Sequence, residues 1–233
     1  SAPTVTLAVS ATSIAENAGS SLTLTATLTG TTDSDITVAL DTSGTATEGT
    51  DYTDGSGNID DIVISAGGTT GTVNFTPTDD SIYDATSNET ATISINGVTG
   101  KTGVAENSTP QAVTITISEN ESSPTVTLAS SASSIAENSG STITLTATIS
   151  QVADEDVIVS IDGTGGTADE GTDFGTVSDI TISAGATTGT TSFTPTDDSI
   201  YDATSNETAG ISISAVSGGG ASENGDQSVT ITI

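Results

Sequence analysis

Along most of the chain, hydrophobic residues alternate with Thr and Ser, the period of two expected of a strand buried on one face. Thr4 to Val9 sets Val5, Leu7 and Val9 on one side, and Ser21 to Leu28 does the same with Leu22, Leu24, Ala26 and Leu28. Ile36, Val38 and Leu40 continue the pattern, followed by Ile62 and Ile64, Val73 and Phe75, Ile93 and Ile95, and finally Val113, Ile115 and Ile117. Thr, which dominates the intervening positions, is β-branched and polar and suits the wet face of a sheet. Turn residues (Gly, Asp, Asn, Ser) separate the segments, and no stretch carries the 3.6-residue period of a helix. Seven strands are therefore predicted over the first half of the chain.

The same seven return in the second half. Pro3-Thr-Val-Thr-Leu7 recurs as Pro124-Thr-Val-Thr-Leu128, and Ser13-Ile-Ala-Glu-Asn17 as Ser134-Ile-Ala-Glu-Asn138. Pro77 to Thr90 recurs unchanged as Pro195 to Thr208, and Gln111 to Ile117 returns as Gln227 to Ile233 with one substitution. The order is preserved and the period is the size of a domain, too long for a solenoid unit. The reading is two tandem domains, 1–121 and 122–233, with the boundary in the polar stretch Ser118 to Ser123. Each is expected to be a seven-stranded antiparallel β-sandwich of the immunoglobulin-like kind, the two end to end. The chain begins and ends in phase with the repeat, and this predicts a segment cut from a longer array.

Composition narrows the function. With no Trp, Met, Cys or His, the core must be built from Val, Ile, Leu and Ala with three Phe and three Tyr. Without Cys there are no disulfides and no thiolate metal sites. Without His and Cys the usual nucleophilic triads cannot form. Lys101 stands alone against 31 Asp plus Glu, a net charge of −30. Nucleic acid is excluded as a partner because phosphate binding needs Lys and Arg. Anionic membranes repel such a chain, and no apolar run approaches the ~20 residues that would insert into one. Divalent cations, or high external salt, are the means of offsetting acids where they crowd.

Several ordered motifs resemble the Calx-beta domain. They are Ser-Ile-Ala-Glu-Asn, Gly-Thr-Ala-Thr-Glu-Gly-Thr-Asp-Tyr (Gly44 to Tyr52), Ala-Gly-x-Thr-Thr-Gly-Thr (from Ala66) and Phe-Thr-Pro-Thr-Asp-Asp-Ser-Ile-Tyr (Phe75 to Tyr83). The resemblance spans nearly all of each repeat. It implies an Ig-like sandwich of the type found in sodium–calcium exchangers, integrin β4 and long bacterial surface proteins and adhesins, some of which hold Ca2+ at one end. It also implies the ligands: Glu16, Asp51, Asp79, Asp80 and Glu119 in the first repeat, with Asp84, Glu48 and Glu121 behind them. In the second repeat they are Glu137, Asp173, Asp197 and Asp198, with Asp202 and Glu170 behind. Ser81 and Ser199 stand where a third Asp often follows, and Ser43 and Gly165 where an acid usually precedes Gly-Thr-Ala. Fewer ions are therefore expected than in the best-endowed relatives, and the second repeat stops at Ile233, before a counterpart of Glu119. Read without the resemblance, the same acids also fit the simpler role of solvating loops.

The expected function is a structural or adhesive module of an extracellular, bacterial surface protein, fibre or biofilm matrix, rigidified by Ca2+ near the linker. Its partners are neighbouring repeats of the same protein. Self-association into a filament is one alternative; binding of a glycan or protein at the cell surface is another. A paired-carboxylate glycosidase is the enzymatic alternative, disfavoured by the scarcity of aromatics for stacking on sugars. Lys101 reads as a solvated loop residue, and Tyr83 and Tyr201 as core residues with a bonded hydroxyl.

Overall fold

The computed structural model describes residues 2–86, 88–108, 111–198 and 206–233. The chain divides into two compact units, one of Ser1–Asp80 with Thr86–Asn120, the other of Ser81–Ala85 with Glu121–Ile233. The second thus includes five residues that the sequence assigns to the first repeat.

The first unit packs two five-stranded sheets. One runs β10 (Ala105–Glu106), β1 (Thr4–Val9), β3 (Leu22–Leu28), β7 (Thr70–Pro77), β5 (Tyr52–Thr53). The other runs β2 (Ser13–Ala15), β11 (Ala112–Ser118), β9 (Glu89–Thr99), β4 (Ile36–Gly44), β6 (Ile62–Ile64). All seven long strands read from the alternation are present. The additions, β2, β5 and β10, are too short to carry a period. The long pairings are antiparallel, but β1 pairs with β10 and β11 with β2 in parallel. The chain thus leaves one sheet after β1 and enters the other at β2.

The second unit keeps the plan with shorter edges. Its sheets run β17 (Thr188–Phe193), β13 (Ile143–Ile149), β12 (Thr125–Ser130), β19 (Ser222–Glu223), and β16 (Ile180–Ile182), β15 (Val157–Gly166), β18 (Thr208–Ser217), β20 (Ser228–Thr232). A parallel pair, β14 (Val152–Ala153) with β8 (Ile82–Tyr83), completes it. Where the first unit has β2, the second has a single bridge, Ser134 with Thr232, and a 3-10 turn, Glu137–Ser139. That turn is the one helical element among the described residues, and none is long and apolar enough to cross a membrane.

Each unit buries its own apolar cluster. Val5, Leu24, Ile36, Ile62, Ile93 and Ile115 are fully buried in the first, and Val126, Leu145, Val157, Ile180, Ile211 and Ile231 in the second. Four of the six aromatics sit in these clusters. Tyr52 stacks on Phe75 with ring centroids 4.6 Å apart, and Phe174 lies 4.9 Å from Phe193. Burial pushes the Tyr52 phenol above its ordinary pKa. Leu40, read from the alternation as a core residue, is only half buried, because a β-bulge between Ala39 and Leu40 breaks the register there. The amide that the bulge leaves over donates to Asp61 Oδ1 at 3.0 Å; Ile161 and Asp179 repeat the device at 3.1 Å.

With so few large side chains, each aromatic is hard to replace. Phe75→Ala is expected to destabilise the protein by about 3–5 kcal/mol, the usual cost of removing a buried aromatic, read as a lower midpoint in urea denaturation.

Candidate metal centre

The acidic end of the first unit follows from strand pairing. In the parallel ladder, Ile14 and Ala15 of β2 sit opposite Ile117 and Ser118 of β11. The pairing continues one step further, with the Glu16 N–H donating to the Ser118 carbonyl at 3.1 Å. The residues that leave the two strands, Glu16 and Glu119, are therefore neighbours despite their separation in sequence. Glu16 and Glu119 each present a carboxylate oxygen within 4.8 Å of the other. Glu16 is also the one buried charged residue among the described residues, at 7% exposure, while Glu119 is half buried.

The loop after β7 closes on the same place. The Asp80 N–H donates to Glu16 Oε1 at 3.2 Å. Pairing of Tyr52 with Pro77 aligns the loop before β5 with this segment, and Thr78 N–H donates to the Asp51 carbonyl at 2.9 Å. The Asp51 carboxylate turns back into its own loop to accept the Thr47 N–H. The side chains of Asp79 and Asp80 are exposed. Of the first-repeat acids implied by the resemblance, then, Glu16 and Glu119 come together and Asp80 reaches Glu16 through its backbone. Glu121, ranked behind them from the sequence, belongs to the second unit. The approach of Glu119 to Glu16 depends on the β2–β11 pairing, which leaves no local signal.

Half of this arrangement recurs in the second unit. Glu137 Oε1 accepts the Asp198 N–H at 2.8 Å, and Asp173 Oδ2 accepts the Asp169 N–H at 2.6 Å. The Asp173 carbonyl accepts the Thr196 N–H at 2.9 Å, and Asp197 and Asp198 are exposed. Asp202 lies outside the described residues.

Two of the remaining acids have an internal task. Glu48 Oε1 accepts the Ile59 N–H at 2.6 Å and Oε2 the Thr42 hydroxyl at 2.9 Å; Glu170 Oε1 accepts the Val177 N–H at 2.8 Å. Each carboxylate holds the long loop that follows it. In the same loop, the Ser56 N–H and hydroxyl hold the Asp54 carboxyl below its ordinary pKa. Lys101 bonds both oxygens of Asp33, at 2.7 and 3.0 Å, and its hydrogen bond lowers the Asp33 pKa in the same way.

The donor set of the cluster is hard oxygen throughout, with no imidazole or thiolate in the chain. That chemistry suits Ca2+, which takes six to eight oxygens from carboxylates, carbonyls and water, rather than zinc or copper. The Glu16 and Glu119 carboxylates would supply part of such a shell, and backbone carbonyls and water would complete it.

Glu48→Ala is expected to cost about 1–3 kcal/mol, since it strands the Ile59 N–H, while leaving calcium affinity unchanged. Chemical denaturation and calorimetric titration of the same variant read the two effects separately.

The Calx-beta domain model matches the sequence twice, at residues 1–121 and 119–232. No curated protein sequence matches the chain. Among solved structures, it is similar to CBD12 from CALX1.2, with 17% identity over 91% of this chain and 80% of that one, TM-score 0.38. It is likewise similar to the calcium binding domain CBD12 of CALX1.1, with 16% identity over 88% and 77%, TM-score 0.36. A third is the Yersinia pseudotuberculosis adhesin InvE, with 14% identity over 98% of this chain and 58% of that one, TM-score 0.37.

Proposed function

Because the chain belongs to the Calx-beta domain family, present twice in tandem, we propose that it is a structural and adhesive repeat of an extracellular protein, stiffened by Ca2+ at the exit of the first repeat. The observation that carries the calcium reading is the approach of Glu16 and Glu119 to within 4.8 Å, with Glu16 buried. Two unit charges at that separation repel by about 3 kcal/mol at an effective dielectric of about 20. A divalent cation turns that repulsion into attraction. Glu119 belongs to the polar stretch that follows β11, so the ion would hold the start of the linker against the end of β2. Asp51, Asp79 and Asp80 line the loops around it and are proposed to contribute through carbonyls, water or rearranged side chains. Glu137, Asp173, Asp197 and Asp198 would form a weaker, partial site in the second repeat.

The role is binding and mechanical rather than catalytic. A repeat stiffened by external Ca2+ would resist bending at the linker. Extracellular modules bind Ca2+ with Kd of ~10⁻⁴ to 10⁻³ M, within reach of external concentrations, so that export itself would switch the linker from loose to ordered.

Calorimetric titration should show at least one site, and Ca2+ at about 100 times its Kd should add about 2.7 kcal/mol of stability by mass action. Glu16→Gln and Glu119→Gln should each weaken binding about tenfold or more. EGTA should shorten the scattering-derived length and expose residues 118–123 to proteolysis. A melting temperature and a length that EGTA leaves unchanged overturn the reading.

A further inference from the structure

The second unit contains a plug and a socket. The plug is Ser81–Ala85. Ile82 and Tyr83 pair in parallel with Val152 and Ala153. The Asp154 N–H donates to the Tyr83 carbonyl at 3.1 Å, and Asp154 Oδ1 accepts the Ala85 N–H at 2.9 Å. The Gln151 side-chain amide donates to the Ser81 carbonyl. The Tyr83 ring is buried, and its hydroxyl accepts from Ser123 at 3.1 Å. Gly220, at φ 58°, makes room for it: a Cβ there would stand 2.5 Å from the ring.

The first unit carries the same socket on its own elements. Thr31, Thr32 and Asp33 follow β3 as Val152, Ala153 and Asp154 follow β13. The backbone takes the same path, for the Thr32 carbonyl accepts the Gly67 N–H at 2.8 Å and the Ala153 carbonyl the Gly185 N–H at 2.9 Å. Pro3 precedes β1 as Pro124 precedes β12. The turn before β10 is closed by Val104 N–H to the Lys101 carbonyl, as the turn before β19 is closed by Ala221 N–H to the Gly218 carbonyl. Gly103 then falls where Gly220 does, again with a left-handed backbone at φ 89°. Here the first unit has an open pocket of about 360 Å³, lined by Pro3, Thr31, Thr32, Asp33, Lys101 and Val104 among others.

We infer that this pocket is the receiving socket for a second copy of the chain, filled by the Tyr of a Ser-Ile-Tyr-Asp-Ala segment whose backbone pairs with Thr31 and Thr32. Residues 199–203 repeat Ser81–Ala85 letter for letter. They lie outside the described residues; by sequence they give each chain a second Ser-Ile-Tyr-Asp-Ala segment. Charge favours the same occupant. The plug and the residues before it bring Asp79, Asp80 and Asp84 or their equivalents, and the rim of the pocket holds Lys101, the one basic residue of the chain. The Lys101–Asp33 pair is exposed, at 46% and 75%, and exposed pairs are weak. Lys101 can therefore turn to an incoming aspartate while Asp33 takes the N–H that Asp154 takes in the second unit. The pocket contains no acid of the calcium cluster, so this association is independent of Ca2+.

The test uses the full chain, isotopically labelled, in EGTA, titrated with a peptide of sequence Thr-Asp-Asp-Ser-Ile-Tyr-Asp-Ala-Thr-Ser-Asn. The expected result is saturable shifts of the Thr32, Lys101 and Val104 amides, abolished when the peptide Tyr is replaced by Ala. Lys101→Glu should weaken the peptide about two- to fivefold or more, the range of one exposed ion pair. The chain alone should show a mean mass that rises with concentration in sedimentation velocity. Unmoved amides, equal shifts from the Ala peptide, an affinity unaffected by Lys101→Glu, or a monomer at every concentration overturns the inference.

Discussion

The parallel pairing of β2 with β11 is the contact on which the acidic end of the first unit depends. After β1 the chain abandons one sheet and continues in the other, so a single edge segment belongs to both layers. That crossing covers an edge that would otherwise present unpaired N–H and C=O groups. It also forces the residues leaving the two strands into contact, and those residues are Glu16 and Glu119. A carboxylate as buried as Glu16 is costly unless compensated, and the Asp80 N–H supplies one partner at 3.2 Å. In the second unit the crossing shrinks to the Ser134–Thr232 bridge, while the Glu137–Asp198 bond and the Asp173 loop of the arrangement remain.

A chain with 31 acids and one base cannot neutralise itself with ion pairs, and it uses backbone amides instead. Asp61 and Asp179 accept the amides freed by the bulges, Glu48 and Glu170 hold the loops that follow them, and Asp35 and Asp156 accept the Ala66 and Ala184 N–H at 2.8 Å. Bonds from N–H to an ionised carboxylate are stronger than neutral ones, so each acid fixes a turn and is itself stabilised.

Much of this was legible in the chain itself. Alternation of Val, Ile and Leu with Thr marks every long strand because the pleat has a strict period of two, and the duplication sets the number of domains. Glu16 and Glu119 are implied by the family motifs. Leu40 misleads because a bulge is a register fault between distant strands, invisible in either strand alone.

The two copies of Ser-Ile-Tyr-Asp-Ala show where local information ends. Ser81–Ala85 counts with the second unit and seats Tyr83 beside Gly220, with its backbone along Val152 and Ala153. Nothing within those five residues could say so, since their partners, Val152 to Asp154 and Gly220, lie far along the chain. The amino-acid sequence determines the strands, the duplication and the acidic, nearly cation-free surface, because these follow from residue-by-residue periodicity and charge. Which acids meet, and which pocket takes a tyrosine, was decided only in the tertiary structure, because parallel pairing joins residues that lie far apart along the chain.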